Sequence, residues 1–524
     1  LEGIGAARLF VSVRLPRVAH SKDVVMLVII SDLHLTDGSS GATISCGAFE
    51  IFAERLRDLA LAASKRLDGR YQPVETIDVL LLGDVLDVIR STRWTDQERV
   101  RPWSDLNSAE SANFIGQITG DILAQNEPAL SVLRSLTEAG SMRLPPADSR
   151  GRPAIGTAQQ QPVQVRLHYL VGNHDWMFHL RSPRYNGIRQ AIVRQMGLAQ
   201  RPETPFPHDP AENPELLDVL RRHKVFARHG DLYDPFNFEG EREASSLGDA
   251  IVIELLNRFS SACATELANE LPDATLAGLR ELDNVRPVLL VPVWIDGLLE
   301  RTCPLPSQRL RVKRVWDALV ERFLSLSFVR ERDTWRPTDL VDGLSNALRF
   351  SKCVSVRWAS DLLKWFHSLR GDGEASYHQH ALAEQDFRNR RAKYIVYGHT
   401  HHEEAVPLDA SYTDGYVLNQ MYFNSGTWRR VHRQTRLAPT EHEFIASDVM
   451  TYLAFFQADE RSGRPFETWS GTLAVGPSDN AVYRIDARRE DATAQSVSPP
   501  ALLGHGPHFA TRAAAPGRVP LSRF

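Results

Sequence analysis

Short apolar runs that stop abruptly at a polar signature recur five times along the chain. They are Val24–Ile30 before Ser31-Asp32-Leu33-His34, Val79–Leu82 before GDVLD, Leu167–Val171 before GNHD, Val225–Ala227 before RHGD, and Tyr394–Tyr397 before GHTH. Runs this short, rich in β-branched and aromatic residues and closed by a glycine or an acid, predict buried central strands whose C-terminal ends carry loops. In open sheets that edge is where sites are built. Between the first two runs, Phe49, Phe52, Leu56, Leu59, Leu61 and Ala63 fall at helical spacing, predicting an amphipathic helix that packs back on the sheet. Leu123–Leu136 reads the same way, as one helix. Residues 143–162 and 200–214 are rich in Pro, Gly and Gln and predict surface loops.

From about residue 240 to 390 the strand pattern gives way to helical stripes, first Val312, Val315, Trp316, Leu319 and Phe323, then Val354, Trp358, Leu362, Trp365 and Leu369. Strands are expected again at Tyr416–Phe423, Met450–Phe456 and Phe466–Ala474. The chain therefore divides into an unstructured or upstream segment (1–25), the first part of an α/β core (26–240), a helical insertion (241–390), the second part of the core (391–486) and a flexible tail (487–524).

Composition narrows the class. The 524 residues are 43% hydrophobic and 24% charged, with a net charge of −4, which excludes a disordered tail or a coiled coil. A coat protein for nucleic acid is disfavoured, since non-specific phosphate binding needs an excess of Lys and Arg. Cys46, Cys263, Cys303 and Cys353 show no CxxC spacing, which predicts free thiols and a reduced, cytoplasmic setting. The longest apolar run, Val24–Ile30, falls far short of the ~20 residues of a membrane span. Residues 1–25 carry Arg8, Arg14, Arg17 and Lys22 against Glu2 and Asp23, so a transit peptide is a second reading of that segment.

The strand ends bring together Asp32 and His34, Asp84, Asn173, His229, and His399 and His401. Carboxylate and amide oxygens mixed with imidazoles suit Mn²⁺, Fe²⁺ or Zn²⁺. Seven such groups exceed the needs of one tetrahedral zinc, so two divalent ions sharing a carboxylate are expected, most naturally Mn²⁺. Two metals suit in-line displacement at phosphorus. Burying these groups at one edge without metal would leave them uncompensated.

The ordered set D-x-H (Asp32, His34), G-D-x-x-D (Asp84, Asp87), G-N-H-D (Asn173, His174, Asp175), a strand-end His229 and G-H-x-H (His399, His401) resembles the calcineurin-like metallophosphoesterases over residues 26–240 and 390–475. The resemblance implies a four-layer α/β/β/α sandwich with the insertion as a cap. It also implies that Asp32, His34 and His401 hold one metal, that Asn173, His229 and His399 hold the other, and that Asp84 bridges them. A hydroxide shared by the ions would be the nucleophile. His174 would protonate the leaving oxygen or stabilise charge, Asp87 would orient His174, and Asp175 and Asp231 would orient ligands and loops.

Two departures limit the subfamily. Asp87 stands where purple acid phosphatases carry a tyrosine, and Val88 where serine/threonine phosphatases carry a phosphate-gripping arginine. RHGDLYD (Arg228 to Asp234) followed by a helical insertion is distantly similar to the UDP-2,3-diacylglucosamine pyrophosphatases, but many of those have arginine in place of His174, and their substrate is not carried over. The expectation is a hydrolase of phosphate mono-, di- or pyrophosphate esters, acting on a phosphorylated small molecule, a nucleotide or a lipid head group. A nuclease of the same fold and a non-catalytic scaffold are the alternatives. Residues 301–336 hold nine Arg/Lys against four acids, which reads either as an attractor for a polyanion or as a solvated helix face. His179 and His402 read as structural histidines, and Arg90 as either a phosphate contact or a solvated side chain.

Overall fold

The computed structural model of the chain describes residues 25–286, 291–333, 340–353, 377–411, 417–434, 444–457 and 459–474. The second stripe of the insertion (Val354 to Leu369), the tail 487–524 and residues 1–24 lie outside them. Leu1–Gly476 and Pro477–Phe524 separate as two units, and every described residue belongs to the first.

The architecture is mixed α/β. The described strands are β1 (Val25–Ile30), β2 (Thr76–Leu82), β3 (Met142–Leu144), β4 (Gln161–Leu170), β5 (Val225–Ala227), β6 (Val285–Arg286), β7 (Tyr394–Tyr397), β8 (Glu403–Ser411), β9 (Val417–Ser425), β10 (Arg429–Gln434), β11 (Phe444–Phe455) and β12 (Phe466–Ala474). Eight form one sheet in the order β3-β4-β2-β1-β11-β10-β6, with β12 also on β11; four form a second in the order β5-β7-β9-β8. β1, β2 and β4 run parallel, in register Val28 to Val79 to Leu167. β5, β7 and β9 are parallel in the second sheet.

The period-two alternation of a strand sends neighbouring side chains to opposite faces. Met26, Val28 and Ile30 with Ile77, Val79 and Leu81 face a core closed by the helix Cys46–Ala63, through Phe49, Phe52, Leu56 and Leu59. Leu27, Ile29, Leu80 and Leu82 face the other way, into a core shared with Val225, Ala227, Tyr394, Val396 and Phe423 of the second sheet. Ile395, Tyr397 and Tyr422 pack on Ala381 and Ala392 beyond that sheet. Each central strand is thus buried on both faces, which is why it reads as an unbroken apolar run.

Three expectations need correction. Leu123–Leu136 is two helices, Ala109–Gln125 and Glu127–Thr137, because Pro128 lacks the N–H that would continue the first, and Asn126 ends it by bonding Ile122 O through its side chain. The segment 143–162 is not all loop, since β3 and the start of β4 pair there. The insertion is not purely helical: β6 leaves it to join the large sheet beside β10, pairing Val285 with His432 and Arg286 with Arg433. The insertion otherwise has its own apolar core, with Val312, Val315, Leu319 and Phe323 of helix Pro306–Ser325 buried and Trp316 packed at its margin against Phe259. On the outer face of the same region Arg311, Lys313, Arg322 and Arg332 pair with Glu270, Asp317, Glu98 and Glu239, as expected of a solvated helix surface. Among the described residues, no helix is long and apolar enough to cross a membrane, and Cys46, Cys263 and Cys303 are free thiols.

Candidate metal centre

The polar residues predicted at the strand ends converge on one edge. Asp32 and His34 follow β1, Asp84 and Asp87 follow β2, Asn173 and His174 follow β4, His229 follows β5, and His399 and His401 follow β7. Five of them, Asp32, His34, Asp84, His399 and His401, have left-handed backbones, with φ of 55, 44, 51, 68 and 59°. Each such residue costs on the order of 1–3 kcal/mol, and strain of this kind concentrates at functional sites. Two glycines let the loops close. A Cβ on Gly83 would lie 2.4 Å from His229 Nδ1, and one on Gly172 would lie 2.3 Å from Asp84 Oδ1.

The hydrogen bonds around the centre fix which atoms face inward. Leu82 O lies 3.0 Å from His229 Nδ1, and a carbonyl only accepts, so the hydrogen is on Nδ1. His229 Nε2 then faces inward, 3.1 Å from Asn173 Oδ1 and 3.2 Å from Asp84 Oδ2, and is a lone pair in the neutral imidazole. Asp234 Oδ2 accepts from His399 Nε2 at 3.1 Å, leaving His399 Nδ1 as a lone pair 3.0 Å from the same Asn173 oxygen. The amide orientation follows from the same carboxylate: Asn237 Nδ2 donates to Asp234 at 3.0 Å, so Asn237 Oδ1 takes Asn173 Nδ2 at 3.3 Å and turns Asn173 Oδ1 inward. Asp84, Asn173, His229 and His399 therefore turn four potential ligand atoms toward one another, all of them lone-pair donors once both imidazoles are neutral.

Beside them lies a second group, Asp32, His34, Asp84 and His401. His34 Nδ1 donates to Asp87 Oδ2 at 2.7 Å, leaving Nε2 as an acceptor 3.6 Å from Asp84 Oδ2 and 2.9 Å from His401 Nε2. His401 Nε2 is 3.3 Å from Asp32 Oδ1. Asp84 Oδ2 is common to both groups, while its Oδ1 is held by the His174 N–H at 2.8 Å.

Such crowding demands positive charge. Without a cation the protons must supply it: burial opposes protonation of His229, but the Asp84 carboxylate beside it overrides burial and pushes the imidazole well above its usual value. Burial pushes Asp32 up to about 6 and lowers His34 to about 4. The mixed nitrogen and oxygen donors fit a divalent cation, and the outer nitrogens of His34, His229 and His399 each meet an acceptor, as in metal-bound imidazoles, whereas that of His401 meets the donors of Arg286. The clusters of Asp and His could hold a metal ion.

His174 sits at the rim, its Nδ1 2.7 Å from Asp87 Oδ1. Burial works against its charged form, but Asp87 and Asp84 prevail and raise it to about 9, so it is an imidazolium at neutral pH. Asp87, buried between His34 and His174, is held well below the usual carboxylate range. Asp175 fastens the loops from behind, accepting the Gly172 N–H at 2.6 Å, the Val85 N–H at 2.8 Å and the Tyr169 hydroxyl at 2.6 Å. Asp231 instead grips Arg242 of the insertion at 2.9 and 3.0 Å, tying that segment to the RHGD loop.

Of the residues left out of the centre, His179 is structural as expected, while His402 is not a core residue and Arg90 is neither a phosphate contact nor solvated. His179 Nδ1 is 2.8 Å from Phe206 O, and His402 is exposed. Arg90 is buried, donating to Ser40 O at 2.7 Å and pairing with Asp283 at 2.8 Å, which removes it from any substrate. Two residues of the centre were missed. Asp234 carried a signal, an acid five positions after His229 in the same loop. Arg286, whose Nη2 is 3.0 Å from His401 Nδ1, carried none.

No family model matches the chain, and no curated protein gives a significant match to it.

Proposed function

We propose that this protein is a calcineurin-like metallophosphoesterase, a hydrolase of phosphate esters or pyrophosphates that uses two divalent cations, with Mn²⁺ the first to test. The supporting observation is the convergence of ligand atoms from Asp84, Asn173, His229 and His399, sharing Asp84 Oδ2 with the Asp32, His34 and His401 group. The sheet-to-sheet core between two helical flanks suits the four-layer sandwich of that family.

In this reading Asp32, His34 and His401 would hold one cation and Asn173, His229 and His399 the other, with Asp84 shared. Cations bound there would supply an acidified water and neutralise charge on the phosphoryl oxygens. His174 is the chain's own acid: at the rim, charged through Asp87, it donates a proton to the departing oxygen or stabilises the negative charge that develops there. Asp87 positions two groups at once, aiming His174 Nδ1 with one oxygen and His34 Nδ1 with the other. Asp234 sets the inward nitrogen of His399 and, through Asn237, the inward oxygen of Asn173.

The test is hydrolysis of p-nitrophenyl phosphate, its diester and a nucleoside diphosphate with added Mn²⁺. The expected result is metal-stimulated hydrolysis of at least one, lost in Asp84→Asn and His229→Ala. Full activity after chelator stripping would refute the mechanism. Cleavage confined to DNA would favour the nuclease, and metal binding without hydrolysis the scaffold.

A further inference from the structure

Arg286 brings a guanidinium from the insertion to the edge of the centre. It closes β6, whose pairing with His432 and Arg433 of β10 anchors its backbone to the core sheet. One side of the guanidinium is pinned: Nη1 donates to Asp283 O at 2.6 Å and Val285 O at 2.9 Å. Asp283 is itself fixed by ion pairs to the buried Arg90 and Arg429. The other side, Nε and Nη2, forms the two-donor fork that matches a pair of anionic oxygens. Here both donors point at a single atom, His401 Nδ1, at 3.3 and 3.0 Å.

His401 cannot keep that role as a ligand. Its Nε2 is the nitrogen that faces Asp32 and His34. A neutral imidazole that gives Nε2 to a cation carries its hydrogen on Nδ1 and accepts nothing there. The fork is then left without an acceptor, while its far side remains pinned to two carbonyls beside the centre. Among the described residues, Val88 follows Asp87, Arg90 is turned to Ser40 and Asp283, and Arg429 is engaged with Asn284 and Asp283. Arg286 is partly exposed, whereas Arg90 and Arg429 are buried.

We propose that Arg286 is the phosphoryl-binding arginine of this site, its Nε and Nη2 donating to two non-bridging oxygens of the substrate's anionic phosphoryl group. The proposal rests on the metallophosphoesterase reading and adds to it a specificity residue supplied by the insertion rather than by the strand-end motifs. It also gives the insertion a function in the core: β6 delivers a cation to the phosphate.

The experiment uses the full chain loaded with Mn²⁺, with inorganic phosphate as the probe. Metal content is measured by mass spectrometry and phosphate binding by calorimetry, for wild type, Arg286→Ala and Arg286→Lys. The expected result is unchanged metal content in both variants, since Arg286 is not a ligand and gives up its bond to His401 when the cation binds. Phosphate affinity falls ~10–100-fold in Arg286→Ala, the loss of a charge-assisted pair, and Arg286→Lys, with a point charge in place of a fork, lies between. Phosphate bound equally by wild type and a metal-replete Arg286→Ala would overturn the proposal and leave the metal centre standing. Loss of metal in Arg286→Lys, which keeps the charge, would also overturn it, because Arg286 would then act by supporting His401. Wild-type protein that takes up no Mn²⁺ would overturn the underlying reading itself.

Discussion

Replacing Gly172 with alanine tests whether the spacing at the centre is set by close packing behind it. Gly172 does not use the left-handed region, so alanine brings no backbone strain, only a methyl group. That methyl would meet Asp84 Oδ1 at 2.3 Å and both Cδ2 and Nε2 of His229 at 2.7 Å. Ordinary contact begins near 3.4 Å, so Asp84 or the Gly172 loop must yield by about 1 Å. Overpacking costs ~1–3 kcal/mol. Against this stands a gain of ~0.4–1 kcal/mol from restricting the unfolded chain, so a modest net loss of stability is expected. The functional effect is larger, because a displacement of ~1 Å at reacting groups can cost ~10²-fold in rate. Denaturant unfolding, metal content and kcat/KM measured on the variant should show a small stability loss with a disproportionate loss of metal or activity. Gly120→Ala is the control: it lies in helix Ala109–Gln125 with nothing within 4 Å of the new Cβ, and should stabilise by ~0.5–1 kcal/mol with no change in metal. If Gly172→Ala binds metal and turns over like wild type, the packing argument is wrong.

Two further outcomes follow from the charge pairs. His174 is protonated up to about pH 9 because of Asp87 and Asp84, so activity that needs its proton falls as pH rises through that value; in Asp87→Asn the alkaline limb of the pH–rate profile should move to lower pH, and an unmoved limb would dissociate His174 from it. Away from the centre, buried Asp78 binds Arg166 through two 2.8 Å bonds and His168 through one, and these partners outweigh burial to lower its pKa. A lowered carboxyl stabilises above its unfolded pKa and ceases to do so as pH falls through the folded one, so Asp78→Ala should cost ~3–5 kcal/mol at neutral pH, shrinking on acidification, as read by urea midpoints at several pH values.

Much of the centre was legible because its residues sit where apolar runs end, and a strand buried on both faces leaves a pattern no surface element imitates. The helix Cys46–Ala63 was equally plain from Phe49, Phe52, Leu56 and Leu59. What the pattern could not convey was pairing at a distance. Asp234 and Asn237 matter because they meet His399 and Asn173 across the fold, and Arg286 because a two-residue strand crosses from the insertion to β10. Neither spacing nor periodicity encodes such meetings. Arg90 fits neither reading the sequence offered, a phosphate contact or a solvated side chain, because it is buried in an ion pair with Asp283, nearly two hundred positions away. The break at Asn126 was missed because both flanking helices are apolar on the same side, so the stripe runs on across Pro128.

We propose that the strand-end donors hold two cations sharing Asp84. Anomalous diffraction at the manganese edge from crystals of the full chain grown with Mn²⁺ tests it most directly. Two peaks are expected, one enclosed by Asp84, Asn173, His229 and His399 and the other by Asp32, His34, Asp84 and His401. Crystals from the same Mn²⁺ solution with no anomalous peak at either position would contradict it.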